Sequence, residues 1–309
     1  MKARFHFRQL VAIFLIACAL GAGGVYWYRT RRVAPSSDDL VVYLPTANAS
    51  VLYIDVAAMR RSGILDMLAG SKATEEPDYR QFVAETNFDY RRDMDAVAAA
   101  FKDGRIYFAL RGRFRWNNLK DYAERHGGSC HNDFCVLAGS QPNRRISFYP
   151  LKRDVLAMAV SPDDFAAYQV TGQAAKFALA PSQDPVWATI PAVALRGMDS
   201  LPFAARVFVP ALQGTDQIVF SISADRDLHL QLGLHVTCTD APAASTLLTQ
   251  FERATHTLSE LLTHQRQPPD PADFSRVLVA GTFRRDERQV YGTWPISKAF
   301  VDAIAGSGY

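Results

Sequence analysis

The chain has 309 residues, 49% hydrophobic and 21% charged, with 34 basic and 31 acidic side chains and a formal net charge of +3. That is a globular composition with ample apolar material for a core. Lys2, Arg4, Arg8, Arg29, Arg31 and Arg32 cluster around one apolar segment. The remainder is near neutral and lacks the basic face that a nucleic-acid binder requires.

That apolar segment is 10–28, LVAIFLIACALGAGGVYWY, nineteen residues without a charge. At about 1.5 Å of helical rise per residue it reaches roughly 28 Å, close to the hydrocarbon thickness of a bilayer. Tyr26, Trp27 and Tyr28 stand where an interfacial aromatic belt belongs. The segment predicts an uncleaved N-terminal transmembrane helix, with 1–30 as the membrane anchor. Two alternatives stay open. Leu15-Ile16-Ala17-Cys18 fits a lipobox, with lipidation at Cys18, and 17–23 could hold the processing site of a cleaved signal. Three basic residues flank each side, so the positive-inside bias cancels. A short N-terminal tail before a long C-terminal domain favours an exported domain. The expected address is the bacterial inner membrane, single pass, with the C-terminal domain in the periplasm or outside the cell. Ala17/Gly21 and Ala19/Gly23 give the small-residue spacing of associating helices, though ordinary anchor composition accounts for it as well.

Residues 31–39 read as a polar linker with Pro35 and a serine pair. Strands are predicted at 41–44 and 50–56 and a helix at 57–69. Pro77 opens another helix, and 90–101 reads as a third, with Asp89 as its cap. In 105–114, Ile106, Phe108 and Leu110 alternate with Tyr107, Ala109 and Arg111, which predicts a strand. A helix at 116–125 stops at Gly127-Gly128. Strands at 130–138, 146–150 and 155–160 follow, and Ser161-Pro162-Asp163 starts a short helix containing Phe165 and Tyr168.

The stretch 171–185 is rich in Ala, Gln, Ser and Pro and marks a boundary between a first half, 40–178, and a second, 179–309. The second half opens with a strand at 186–190 and a short helix at 200–207. Its clearest pattern is the alternation through 218–223 and 228–238, a hairpin with one apolar face. Asp240 caps a long helix to 264, whose stripe includes Leu247, Phe251 and Leu258. A second hairpin, 276–283 with 289–294, precedes a helix at 296–305. The expected fold class is α+β: antiparallel sheet with helices on one face, in two related halves, preceded by the transmembrane helix.

The stretch LPTANASVLYIDVAAMRRSGILDMLAGSKATEEPDYRQFVAETNFDYRRDMDAVAAAF, beginning at Leu44, resembles the opening of an uncharacterised family of bacterial membrane-anchored envelope proteins. The resemblance covers mainly 44–115 and consists of core and turn patterns. It implies an envelope location and an α+β domain, and no activity.

Chemistry is sparse. There is no CxxC, HExxH, GxSxG or phosphate loop, so no catalytic, cofactor-binding or metal-ligating residue is assigned. His229 and His235 lie about 20 Å apart along a strand, and His256 and His264 two helical turns apart, too far to share an ion. The carboxylates at 38–39, 75–78, 163–164, 225 and 227 fall where caps and turns need them. The run Arg111-Gly112-Arg113-Phe114-Arg115-Trp116 mixes cations with aromatics and is a candidate for an anionic lipid or polymer. The alternative is a solvated strand end with an arginine stacked on Trp116. Cys130 and Cys135 flank His131-Asn132-Asp133-Phe134, whose two turn formers allow the chain to reverse, so a disulfide is expected in an exported domain. Free thiols or a redox switch are the competing readings. The expected role is a non-catalytic envelope binding or scaffolding protein, with a possible protein partner, no nucleic acid, no cofactor and an unknown small-molecule ligand. The alternative is a carrier or sensor holding an apolar ligand between sheet and helices.

Overall fold

A computed structural model describes residues 38–69, 77–139, 143–171, 182–191, 212, 215–225, 229–264 and 273–306. The anchor 10–28 with Cys18, the helix at 200–207 and most of the boundary stretch lie outside the described residues. No helix within them is long and apolar enough to cross a membrane. Residues 40–309 make one compact unit and 1–39 another.

Among the described residues, twelve strands form one antiparallel sheet. They are β1 Ser50–Ile54, β2 Met94–Lys102, β3 Arg105–Gly112, β4 Ser129–His131, β5 Phe134–Ala138, β6 Arg145–Lys152, β7 Val155–Ser161, β8 Val186–Ile190, β9 Gln217–Ala224, β10 Leu230–Thr237, β11 Thr282–Asp286 and β12 Gln289–Ile296. Their spatial order is β11-β12-β10-β9-β8-β1-β2-β3-β7-β6-β5-β4. The α+β class with a large antiparallel sheet is therefore correct. The sheet runs on through the sequence boundary, because β8 pairs with β1 and sets Trp187 opposite Tyr53. Those two rings stack with centroids 5.6 Å apart.

Strand alternation gives the sheet two different faces. One carries Val97, Leu110, Leu156, Ile222, Leu234 and Val290 in the pairings of the ladder. This face packs the longer helices. Leu119 and Ala123 of the helix Trp116–Arg125 join the cluster containing Leu110 and Leu156. Leu247, Phe251 and Leu258 of the helix Ala241–His264 join Ile218, Leu234 and Val236. That helix begins as its sequence predicts, with the Ala243 amide donating to Asp240 Oδ1 at 2.7 Å.

The opposite face is lined by alanine over β2, β3 and β7. Ala96, Ala98, Ala100, Ala109, Ala157 and Ala159 are all fully buried. Leu40, Val41, Leu44, Ala166, Ala167 and Val170 pack against them. Methyl side chains let covering backbone lie close to the sheet, so this thin layer fills without long side chains.

Several local expectations are corrected. Residues 41–44 are not a strand: Asp38–Val41 is a helical turn. It buries Leu40, Val41 and Leu44 on the alanine face. The helix 57–69 is two, Val56–Ser62 and Ile64–Ala69, parted at Gly63, which takes φ 80°. The largest correction is 90–101. Asp89 does cap a helix there, but it ends at Asp93 and the chain continues as β2. Ala98, Ala99 and Ala100 are each fully buried between β1 and β3, and the ladder overrides alanine's helical preference. Residues 130–138 form a hairpin, with the chain reversing between Cys130 and Cys135 as their spacing predicts. In the predicted strand 276–283, Phe274–Val279 is helical and β11 starts at Thr282. Trp294 Nε1 donates to the Leu278 carbonyl at 3.1 Å, and a Cβ on Gly281 would fall 2.3 Å from that indole nitrogen. The glycine therefore lets the indole sit against the end of the helix.

Candidate functional site

The site is built at the end of the sheet where β4 is the edge strand. Asn132 and Asp133 both adopt positive φ, 46° and 63°, between the paired residues His131 and Phe134. Two left-handed residues in a two-residue loop match the twist of the strands they join, and Asn and Asp tolerate that conformation. The turn makes Cys130 and Cys135 a directly opposed pair, Cα atoms 4.1 Å apart, and they form the expected disulfide. Trp116 Nε1 donates to Asp133 Oδ1 at 2.9 Å, tying the turn to the helix behind it.

Alternation then sorts the hairpin. Cys135 points to the helix-bearing face, while Ser129, His131, Phe134 and Val136 share the other. Phe134 is 6% exposed and forms the floor of an aromatic cluster. Tyr168 stacks on it at 4.2 Å, and Phe165 lies 5.9 Å away. Phe165 is 63% and Tyr168 51% exposed, the two largest exposures among the large hydrophobic side chains described. Their planes differ by 8° with centroids 6.4 Å apart.

The turn carrying these rings is fixed at several points. Ser161 Oγ accepts from the Asp163 amide at 3.1 Å, and Asp163 Oδ1 accepts from the Phe165 amide at 2.9 Å. A 3-10 turn, Ala166–Gln169, follows, with the Ala167 amide donating to buried Ser147 Oγ. Tyr149 lies beneath, its hydroxyl donating to the Val170 carbonyl at 2.9 Å. Burial pushes the Tyr149 phenol above its ordinary pKa, with the neighbouring Tyr168 adding to the effect, so it stays a neutral donor.

Beside the rings is an open cavity of about 350 Å³. Ser129, His131, Phe134, Arg145, Asp164 and Phe165 are in its wall. Arg145 Nε donates to Asp164 Oδ1 at 2.9 Å, with both side chains nearly half exposed. The arrangement offers flat rings, a hydroxyl and a paired cation and anion. Such groups are suited to binding.

The other sequence candidates are placed elsewhere. Arg113 pairs with Asp93 at 3.1 Å, Phe114 stacks on Phe88, and Trp116 meets Phe148 edge-on. His229 pairs with Asp225 at 3.0 Å and His256 with Glu260 at 3.7 Å. Among the described residues no three His, Cys, Asp or Glu side chains gather as a metal set. Cys238 is a buried free thiol. Tyr168 sits in the short 3-10 turn that follows Ser161 and Phe165 caps its start, but nothing in the sequence marks them as exposed. The signal available was a Phe-x-x-Tyr pair just beyond a Ser-Pro-Asp start, with only alanines between.

The sequence matches no known family profile and no curated protein. Among solved structures, the chain is similar to crystal form IV of TP0453 at 9% identity and TM-score 0.46, covering 89% of this chain and 99% of that one. Crystal form III gives 11% identity and TM-score 0.46, covering 86% and 98%, and crystal form I gives 12% and 0.45, covering 88% and 99%. A likeness at that level fixes neither fold nor function for this chain.

Proposed function

We propose that this chain is a non-catalytic, membrane-anchored extracytoplasmic binding protein of the bacterial cell envelope, and that the aromatic site beside β4 is its recognition surface. The observation that carries the reading is the cross-strand disulfide in the hairpin whose Phe134 supports two exposed rings. Structural disulfides persist in oxidising compartments, which accords with export of the domain behind the apolar segment 10–28. Exposed aromatic clusters mark interaction surfaces, because water-facing rings of this size contribute little to stability where they stand. The alternative, a carrier of an apolar ligand between sheet and helices, draws no support from the cavity described here. That cavity lies on the face opposite the long helices and has an ion pair in its wall.

Fractionation of producing cells tests the reading. The protein should remain in the membrane pellet through alkaline carbonate extraction, and protease added to spheroplasts should digest its C-terminal domain. Release into the soluble fraction, or full protection of the domain, would overturn it. Cys18→Ala separates the anchors: a spanning helix is indifferent to it, whereas a lipid anchor is lost.

A further inference from the structure

We infer that the Phe165–Tyr168 shelf and its adjoining cavity bind a neutral oligosaccharide. This rests on the proposed role as a binding protein and adds the chemical class of its ligand. The two rings are parallel within 8° and 6.4 Å apart, and each keeps half or more of its surface open. They are held there by Phe134 beneath and by the Asp163 and Ser161 hydrogen bonds of the turn. An aromatic face carries negative quadrupole charge. The C–H face of a pyranose is flat and weakly positive, so sugar rings lie on such a face. A preset shelf also loses little conformational entropy on binding.

The polar groups agree. Sugar hydroxyls both donate and accept, and Arg145 and Asp164 present donors and an acceptor side by side at the cavity wall, which Ser129 also lines. The Arg145–Asp164 pair has no net charge, so it offers a phosphate or carboxylate ligand no surplus cation of its own. An acyl chain or an apolar protein face would have to desolvate that pair, at a cost its own contacts do not return. The cavity, about 350 Å³, falls at the small end of the range for small-molecule sites, as expected for part of a saccharide whose remainder lies over the open rings.

The test uses the full chain in a non-glycosidic detergent, titrated with chitotetraose, cellotetraose and maltotetraose and followed by saturation-transfer difference NMR and calorimetry. At least one should bind, with the strongest transfer at ring C–H protons. Phe165→Ala and Tyr168→Ala should each weaken it about tenfold, the loss of one good ring contact. Phe165→Trp should retain binding, and Phe101→Ala, at an exposed ring on β2, should leave it unchanged. Circular dichroism confirms that each variant is folded. Failure of all three sugars to bind, or undiminished binding in both alanine variants, would overturn the inference. So would an oligomer that Phe165→Ala dissociates with no sugar bound, since the shelf would then be covered by a second copy. Purified protein carries no topology, so these outcomes stand apart from the fractionation experiment. Correct fractionation without sugar binding removes the ligand class and leaves the envelope role intact.

Discussion

Tyr168 stacks on Phe134 at 4.2 Å with the planes 20° apart, so the turn after β7 is bound to the hairpin at the edge of the sheet. One ring of the pair is buried and its neighbour Phe165 is open, and the two should respond differently to truncation. Phe134→Ala should cost about 3 kcal/mol, as for a buried phenylalanine whose neighbours cannot fully collapse. Phe165→Ala should stay within about 0.5 kcal/mol. Urea denaturation checks both, and equal losses would show that Phe165 belongs to the core and not to a recognition surface.

Phe251 is fully buried, 5.2 Å from Phe283, and fastens the long helix to the sheet. Phe251→Ala should lower stability by about 3–5 kcal/mol. A melting temperature equal to that of the parent protein would refute that packing.

Asp93 ends the helix Tyr90–Asp93 and ties it to Arg113, the residue just after β3. Burial would raise its carboxyl pKa, but hydrogen bonds from Arg92 and the Asp89 amide, with Arg113 nearby, hold it below the ordinary carboxylate value. A carboxylate depressed in the folded state contributes stability that is fully present above its unfolded pKa and is lost as pH falls through the folded value. Asp93→Asn should therefore destabilise the protein by about 1–3 kcal/mol at neutral pH and much less at the acid end, below the ordinary carboxylate range. Parallel stability curves for the two proteins down to that pH would contradict the assignment.

The sheet was legible wherever one face is apolar and the other wet. The alternation through 218–223 and 228–238 marks β9 and β10 because that region of the sheet has polar side chains, such as Gln231 and His235, on the face opposite the helices. It fails for β2, where alanine is buried on both faces at Ala98, Ala99 and Ala100, so that no alternation remains and the helical preference of the residues prevails on paper. Val277 and Leu278 failed for a related reason: adjacent apolar residues read as a strand, and only Trp294, sixteen positions on, shows why they form a helix. The disulfide was readable because spacing and turn chemistry are local. The aromatic shelf was not, since exposure of Phe165 depends on where β4 to β6 place Phe134 and Arg145.

The state of Cys130 and Cys135 in growing cells tests the account most directly. Closing so short a loop is worth about 2 kcal/mol in the loop-entropy model, so the bridge forms readily wherever the compartment permits it. Cells are quenched with acid, alkylated under denaturing conditions without reductant, and the protein is mapped by mass spectrometry. The account predicts a Cys130–Cys135 crosslinked peptide with no alkylation at either residue and an alkylated Cys238. Alkylation of Cys130 and Cys135 in most of the protein would place the domain in a reducing compartment and contradict its role at the outer side of the membrane.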